Sequence, residues 1–60
     1  MSNFTQCELS SIREMVTGHQ MVSAKLDNYA AECQDTQIKQ MFKTASQQAQ
    51  QSSQNLIQML

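Results

Sequence analysis

Residues 38–59 read IKQMFKTASQQAQQSSQNLIQM. Ile38, Phe42, Ala45, Ala49, Ser52, Leu56 and Met59 follow one another here at alternating steps of four and three. Side chains three and four apart share one face of an α-helix, and a strict seven-residue repeat keeps that face turned toward one partner. The middle of the stretch, SQQAQQSSQN at 46–55, has the look of a Gln-rich low-complexity tract. The apolar phase nevertheless runs through it, and Gln and Ala are good helix formers. The stretch therefore predicts a helix with a narrow, small-residue middle. Ile38, Met41 and Phe42 give it bulk at one end, and Leu56, Ile57, Met59 and Leu60 at the other.

A matching stripe precedes it: Leu9, Ile12, Val16, His19, Val22, Leu26, Tyr29 or Ala30, and Cys33. No proline interrupts either run. Gly18 lies inside the first and costs about 1 kcal/mol against alanine. It reads either as a tolerated weak spot or as a place where another helix approaches closely. The break between the runs is Cys33-Gln34-Asp35-Thr36, with Asp35 placed to cap the second helix by accepting from the N–H groups of Gln37 or Ile38. A link this short makes the helices antiparallel neighbours. Thr5 with Glu8 and Ser11 with Glu14 both have capping-box spacing. Leu9 already fits the stripe, which favours a start near Thr5 to Ser10. Met1 to Phe4 are expected to fray unless Phe4 docks as a staple.

The fold expected is all-α, a single helical-hairpin domain over residues 1–60. Its first helix covers about 6–33, its turn 34–35 and its second helix about 36–60. Sixty residues form one domain at most, and a chain this short buries only roughly 60% of its unfolded surface. Small scaffolds need disulfides, a metal or association to be stable. Met15, Met21, Met41, Ile57 and Leu60 flank the stripes and widen the apolar faces, and wide faces call for a second layer. The expected assembly is a homodimer forming an antiparallel four-helix bundle. Ile12, Val16, His19, Val22, Leu26, Tyr29, Ile38, Phe42, Ala45, Ala49, Ser52, Leu56 and Met59 would provide its core and dimer contacts.

Composition excludes several functions. The net charge is −1, and Arg13, Lys25, Lys39 and Lys43 are scattered, so the basic cluster that nucleic acid requires is missing. Lys39 and Lys43 read as exposed positions. No apolar run approaches the roughly 20 residues that span a bilayer. The N-terminus has neither a charged start nor an apolar core, so no signal peptide is read there and a cytoplasmic location is expected. No nucleic-acid or membrane partner follows from these residues.

No constellation for catalysis stands out, and the chain reads as a non-enzyme without cofactor. Two Cys and one His fall short of the four ligands of a structural zinc site. Glu14 lies five residues before His19, so the Glu-x-x-His motif of di-iron bundles is missing. His19 is expected to be a partly buried imidazole bonded to a neighbouring polar side chain. Cys7 and Cys33 would be roughly 39 Å apart on one continuous helix, far beyond the about 7 Å a disulfide spans. They read as small hydrophobes in a reducing compartment; the alternative is an interchain bond, formed where first helices pack antiparallel or Cys7 lies in a mobile arm. Glu8, Glu14, Asp27 and Glu32 form no close pair suited to acid–base work. Tyr29 is expected to pack near the turn against Phe42 or Ile38.

Four segments carry a resemblance: Leu26-Asp27-Asn28-Tyr29-Ala30-Ala31-Glu32-Cys33, Gln34-Asp35, Ile38-Lys39-Gln40-Met41-Phe42, and Asn55-Leu56-Ile57-Gln58-Met59-Leu60. Over about two-thirds of its length the chain resembles the Coat F-like group of small spore-coat proteins. The resemblance implies a dimeric, ferritin-like helical hairpin acting as a structural component of the spore coat formed in sporulation, with other coat proteins as further partners. Members often carry a histidine in mid second helix, where this chain has Gln47, Gln48, Gln50 and Gln51. The function expected is that of a non-catalytic structural protein of the coat, assembling through bundle packing. The alternative is a small cytosolic adaptor or regulator that docks a partner helix, and a metal or redox bundle is a distant third.

Overall fold

The computed structural model describes residues 3–60. Two helices, α1 (Gln6–Glu32) and α2 (Thr36–Gln58), form an antiparallel hairpin about 46 Å long and only 15 × 9 Å across, with no strand among the described residues. The fraying expected of Met1 and Ser2 lies outside those residues. Phe4 is half-buried just before the cap, where a staple on the first helical turn would place it.

Of the two possible capping boxes, Thr5 with Glu8 starts α1. The Thr5 hydroxyl accepts from the Glu8 N–H at 3.1 Å, and a Glu8 carboxylate oxygen accepts from the Thr5 N–H at 2.9 Å. Ser11 instead sits inside the helix and donates to the Cys7 carbonyl one turn back. The bonds from Thr5 hold the Glu8 carboxyl below its ordinary value of 4.5. A carboxylate with a lowered folded-state value contributes stability above its unfolded value and loses it as pH falls through the folded one. Acidification below 4.5 is therefore expected to loosen the first turn before the rest of α1. Amide exchange at Thr5 and Glu8, followed from pH 6 to pH 3, checks this. Protection factors, which correct for the intrinsic slowing of exchange in acid, that are as high at pH 3 as at pH 6 would show that the box does not depend on the charge.

α1 stops where Cys33 turns to extended backbone (φ −72°, ψ 136°), its N–H still bonded to the Tyr29 carbonyl at 3.0 Å. Two residues later, one oxygen of Asp35 accepts from the N–H groups of Gln37 at 2.9 Å and Ile38 at 3.1 Å and starts α2. Both ends of the link are thus fixed by hydrogen bonds that would otherwise go unmade.

Written as heptads a to g, the inward rows of α1 are Leu9, Val16, Ser23 and Ala30 at a, and Ile12, His19, Leu26 and Cys33 at d. On α2 they are Lys39, Ser46 and Ser53 at a, and Phe42, Ala49 and Leu56 at d. Every one of these residues is buried or half-buried. The most deeply buried are small: Ala30, Ser23, Ser46 and Ser53 are 2–3% exposed, and Ile12, at 7%, is the one large apolar side chain buried among the described residues. The serine hydroxyls of 23 and 46 bond to each other at 2.9 Å, and the Ser46 hydroxyl also reaches the Ser23 backbone carbonyl at 3.2 Å. A side chain as short as serine meets the opposite backbone only if the helices approach closely, which small residues permit.

This inward face differs from the apolar stripe of the sequence by one row on α2. Ile38, Ala45, Ser52 and Met59 occupy g, beside the inward rows, and Ile38 and Met59 are 47% and 48% exposed. On α1, Ser23 faces inward in place of Val22, and of the pair Tyr29 or Ala30 it is Ala30 that does so. The reason is steric and polar together. Ser23 and Ser46 let the backbones come close and satisfy each other's hydroxyls, whereas Val22 on α1 and Ile38 and Met59 at the two ends of the α2 g row are too bulky for so close an approach. Lys39 is half-buried, not exposed; an a-row lysine can lay its aliphatic stem over the core while its ammonium stays in water.

Ser53 differs from the other two buried serines in that its Oγ has no hydrogen-bond partner. An unmet buried hydroxyl costs about 1–3 kcal/mol. Ser53→Ala is expected to raise stability by about 1 kcal/mol, read as a higher urea midpoint with unchanged slope. A lowered midpoint would mean that the hydroxyl has a partner in solution.

Candidate interaction surface

The hairpin has two unlike sides. In an antiparallel pair the two a rows lie toward one side and the two d rows toward the other, with both g rows flanking the d rows. The Ser23–Ser46 bond joins the a rows. On the opposite side Tyr29, at g of α1, packs against Phe42, at d of α2, with ring centroids 5.6 Å apart and planes tilted by 53°. Such tilted contacts are favourable for aromatic rings at this distance.

Both g rows therefore share one side, and that side is apolar. It presents Met15, Val22 and Tyr29 from α1, each 49% exposed, with Ile38, Ala45, Ser52 and Met59 from α2. Met41, 69% exposed, extends it at the turn end. A shallow apolar hollow lined by Met15, Gly18, His19 and Val22 lies along it. The other side carries Arg13, Gln20 and Asp27 from α1 and Lys43 and Gln50 from α2, with Ile57 as its one large apolar residue; all six are exposed. A polar hollow there is lined by Gln20, Gln47, Gln50, Gln51, Ser53 and Gln54. Of the flanking apolar residues named from sequence, Met15 and Met41 join the apolar side, whereas Met21 points away from the hairpin at f and Ile57 lies on the polar side.

Residues with chemical potential do not converge. His19 is half-buried in the d row, and its Nδ1 lies 2.7 Å from the Met15 carbonyl oxygen. A carbonyl only accepts, so Nδ1 carries the proton and donates. The partner is thus a backbone carbonyl one turn back, not the polar side chain expected. Cys7 is exposed and Cys33 half-buried, and both are free thiols. They stand at opposite ends of a continuous helix. Among the described residues no group of three or more His, Cys, Asp or Glu could hold a metal ion. No described helix is long and apolar enough to cross a membrane. A Cβ added to Gly18 would meet nothing within 4 Å, so no close approach inside this chain requires that glycine.

No protein-family model, no curated protein and no solved structure matches this chain. What the geometry defines is a class: a two-helix hairpin closed by small residues, with one side apolar and one polar.

Proposed function

We propose that this chain is a non-catalytic structural protein that works by associating with itself, two hairpins packing into an antiparallel four-helix bundle. One observation carries the reading: among the described residues, only three apolar ones, Ile12, Ala30 and Ala49, are buried within the hairpin. Two of them are alanines, which contribute little apolar area, while domains generally bury a full core between two layers. A second layer would supply the missing burial. The spore coat is the setting that the resemblance to the Coat F-like group implies, and a polar, Gln-rich outer surface suits lateral packing of bundles in a protein layer.

Two measurements test the two parts. Sedimentation equilibrium at micromolar concentration should return twice the 6.8 kDa chain mass; a monomer overturns the bundle. Peptides of this chain should be found in coat extracts of spores from the source organism. Their absence from spores, with the protein present in growing cells, would overturn the coat and leave a cytosolic adaptor that docks a partner helix as the working description.

A further inference from the structure

We infer that the second copy seats on the apolar side of the hairpin, over the two g rows and the d rows beneath them, and not over the a rows. The inference rests on the self-association reading and adds which surface is used and what occupies it.

The area available matches what a dimer needs. A compact folded monomer of 6.8 kDa exposes about 4,000 Å². The hairpin exposes 4745 Å², roughly 750 Å² more than that expectation. The share that each partner contributes to an interface of standard size is about 800 Å². A rod 46 Å long and 15 × 9 Å across exposes this surplus by its shape, and hiding one partner's share of a standard interface would bring the hairpin to the exposure of a compact monomer.

The composition of the two sides decides where. Covering the polar side would take Arg13, Asp27 and Lys43 out of water, at a cost that only well-placed partners offset. The apolar side has no charged residue in its d or g rows from Ile12 to Cys33 on α1 or from Ile38 to Met59 on α2. Dehydrating it gains about 25 cal/mol for each Å² of apolar surface hidden.

Size points to a second copy as the occupant. The α1 row is bulky (Met15, Val22, Tyr29), whereas the middle of the α2 row is small (Ala45, Ser52). A two-fold axis parallel to the helices lays α1 of one copy over α2 of the other, and it sets Val22 against Ala45 and Met15 against Ser52 in both halves at once, with Tyr29 meeting Ile38 near the turn. A surface that complements itself in this way is what an isologous interface requires. Gly18 belongs to the same picture. It borders the hollow formed with Met15, His19 and Val22, and nothing of its own chain fills the space beside it.

The test compares one substitution on each side in the full chain. Val22 is half-exposed in the single hairpin, so Val22→Glu introduces a charge that the hairpin alone would tolerate. In the dimer it would be buried without a partner, and dimerisation should weaken by about 100-fold or more. Gln50→Glu, on the polar side, should leave it within about threefold. Sedimentation equilibrium across a concentration series, with helicity followed by circular dichroism, reads both. If Val22→Glu also unfolds the chain while Gln50→Glu does not, the inference stands, because a half-exposed site of a self-sufficient hairpin would not respond that way. A wild-type dimer disrupted by Gln50→Glu and indifferent to Val22→Glu overturns the choice of side while leaving self-association intact. A wild-type chain that is monomeric throughout the series overturns self-association itself, and this inference with it.

Discussion

Ile12→Asp is expected to abolish the helical fold at room temperature. Ile12 is 7% exposed and, among the described residues, is the one large apolar side chain buried between the helices. The substitution acts twice. It removes the side chain, and large-to-small changes in a core typically cost 2–5 kcal/mol. It also places a carboxylate among apolar neighbours, where an uncompensated buried charge costs a further 3–5 kcal/mol. A chain of sixty residues has a total stability of only about 3–9 kcal/mol at the usual value per residue. The loss, about 5–10 kcal/mol in all, is thus comparable to everything available. Far-UV circular dichroism should show a mostly unstructured chain, whereas Ile12→Val, which deletes one methylene, should lower the urea midpoint by the equivalent of about 1 kcal/mol. An Ile12→Asp chain that melts like the parent would mean that Ile12 faces water and that the heptad phase of α1 is misassigned.

Ser46→Leu is the second large effect, and it separates the inward face of the structure from the apolar stripe of the sequence. By the stripe alone, residue 46 lies outside the core, next to Ala45, and leucine there would be harmless or helpful. In the hairpin Ser46 is 2% exposed and bonded to both the hydroxyl and the carbonyl of Ser23. Leucine would have to occupy space now taken by the backbone of α1. Overpacking of this kind costs about 1–3 kcal/mol, and the broken hydrogen bonds add about 1 kcal/mol each. The helices would separate along the middle of the hairpin, so the loss should exceed that of Ser46→Ala, which keeps the close approach and gives up only the bonds. Thermal melts of the three chains at equal concentration check the order: parent highest, then alanine, then leucine. Leucine equal to or above the parent would show that the helices are not closely apposed at this level.

Other substitutions gain meaning from the same geometry. Ser53→Ala and Ser46→Ala are the same chemical change at two a-row serines seven residues apart on one helix. They are expected to move stability in opposite directions, because only one of the hydroxyls has partners. Pairing them controls for helix propensity, which favours alanine equally in both.

Much of the architecture could be read from the residues alone. The lack of proline, the two apolar runs, the Asp35 cap and the short link read at residues 34–35 fix two helices folded back on each other, since each is a local preference that needs no tertiary knowledge. The start of α1 was narrowed to two capping boxes, and Leu9 in the stripe favoured the one at Thr5 that forms. Contact of Tyr29 with a residue near the turn also follows from sequence, because antiparallel helices must bring the end of one beside the start of the next. The sequence was legible here because the signals are short in range and agree with one another.

What sequence left undecided was which row of α2 faces α1. Hydrophobicity marks Ile38, Ala45, Ser52 and Met59 as apolar or small, and it marks Lys39, Ser46 and Ser53 as polar. A reading by polarity alone sends the first row inward. The folded hairpin turns the second row inward, because serines at the point of closest approach bond across the gap, and a lysine stem can cover apolar neighbours. Periodicity reports how much apolar surface a helix carries and in what direction, but not how that surface is divided between a partner in the same chain and one outside it. Only the tertiary structure divides it: the a and d rows close the hairpin, and the g rows of both helices are left together on one exposed side.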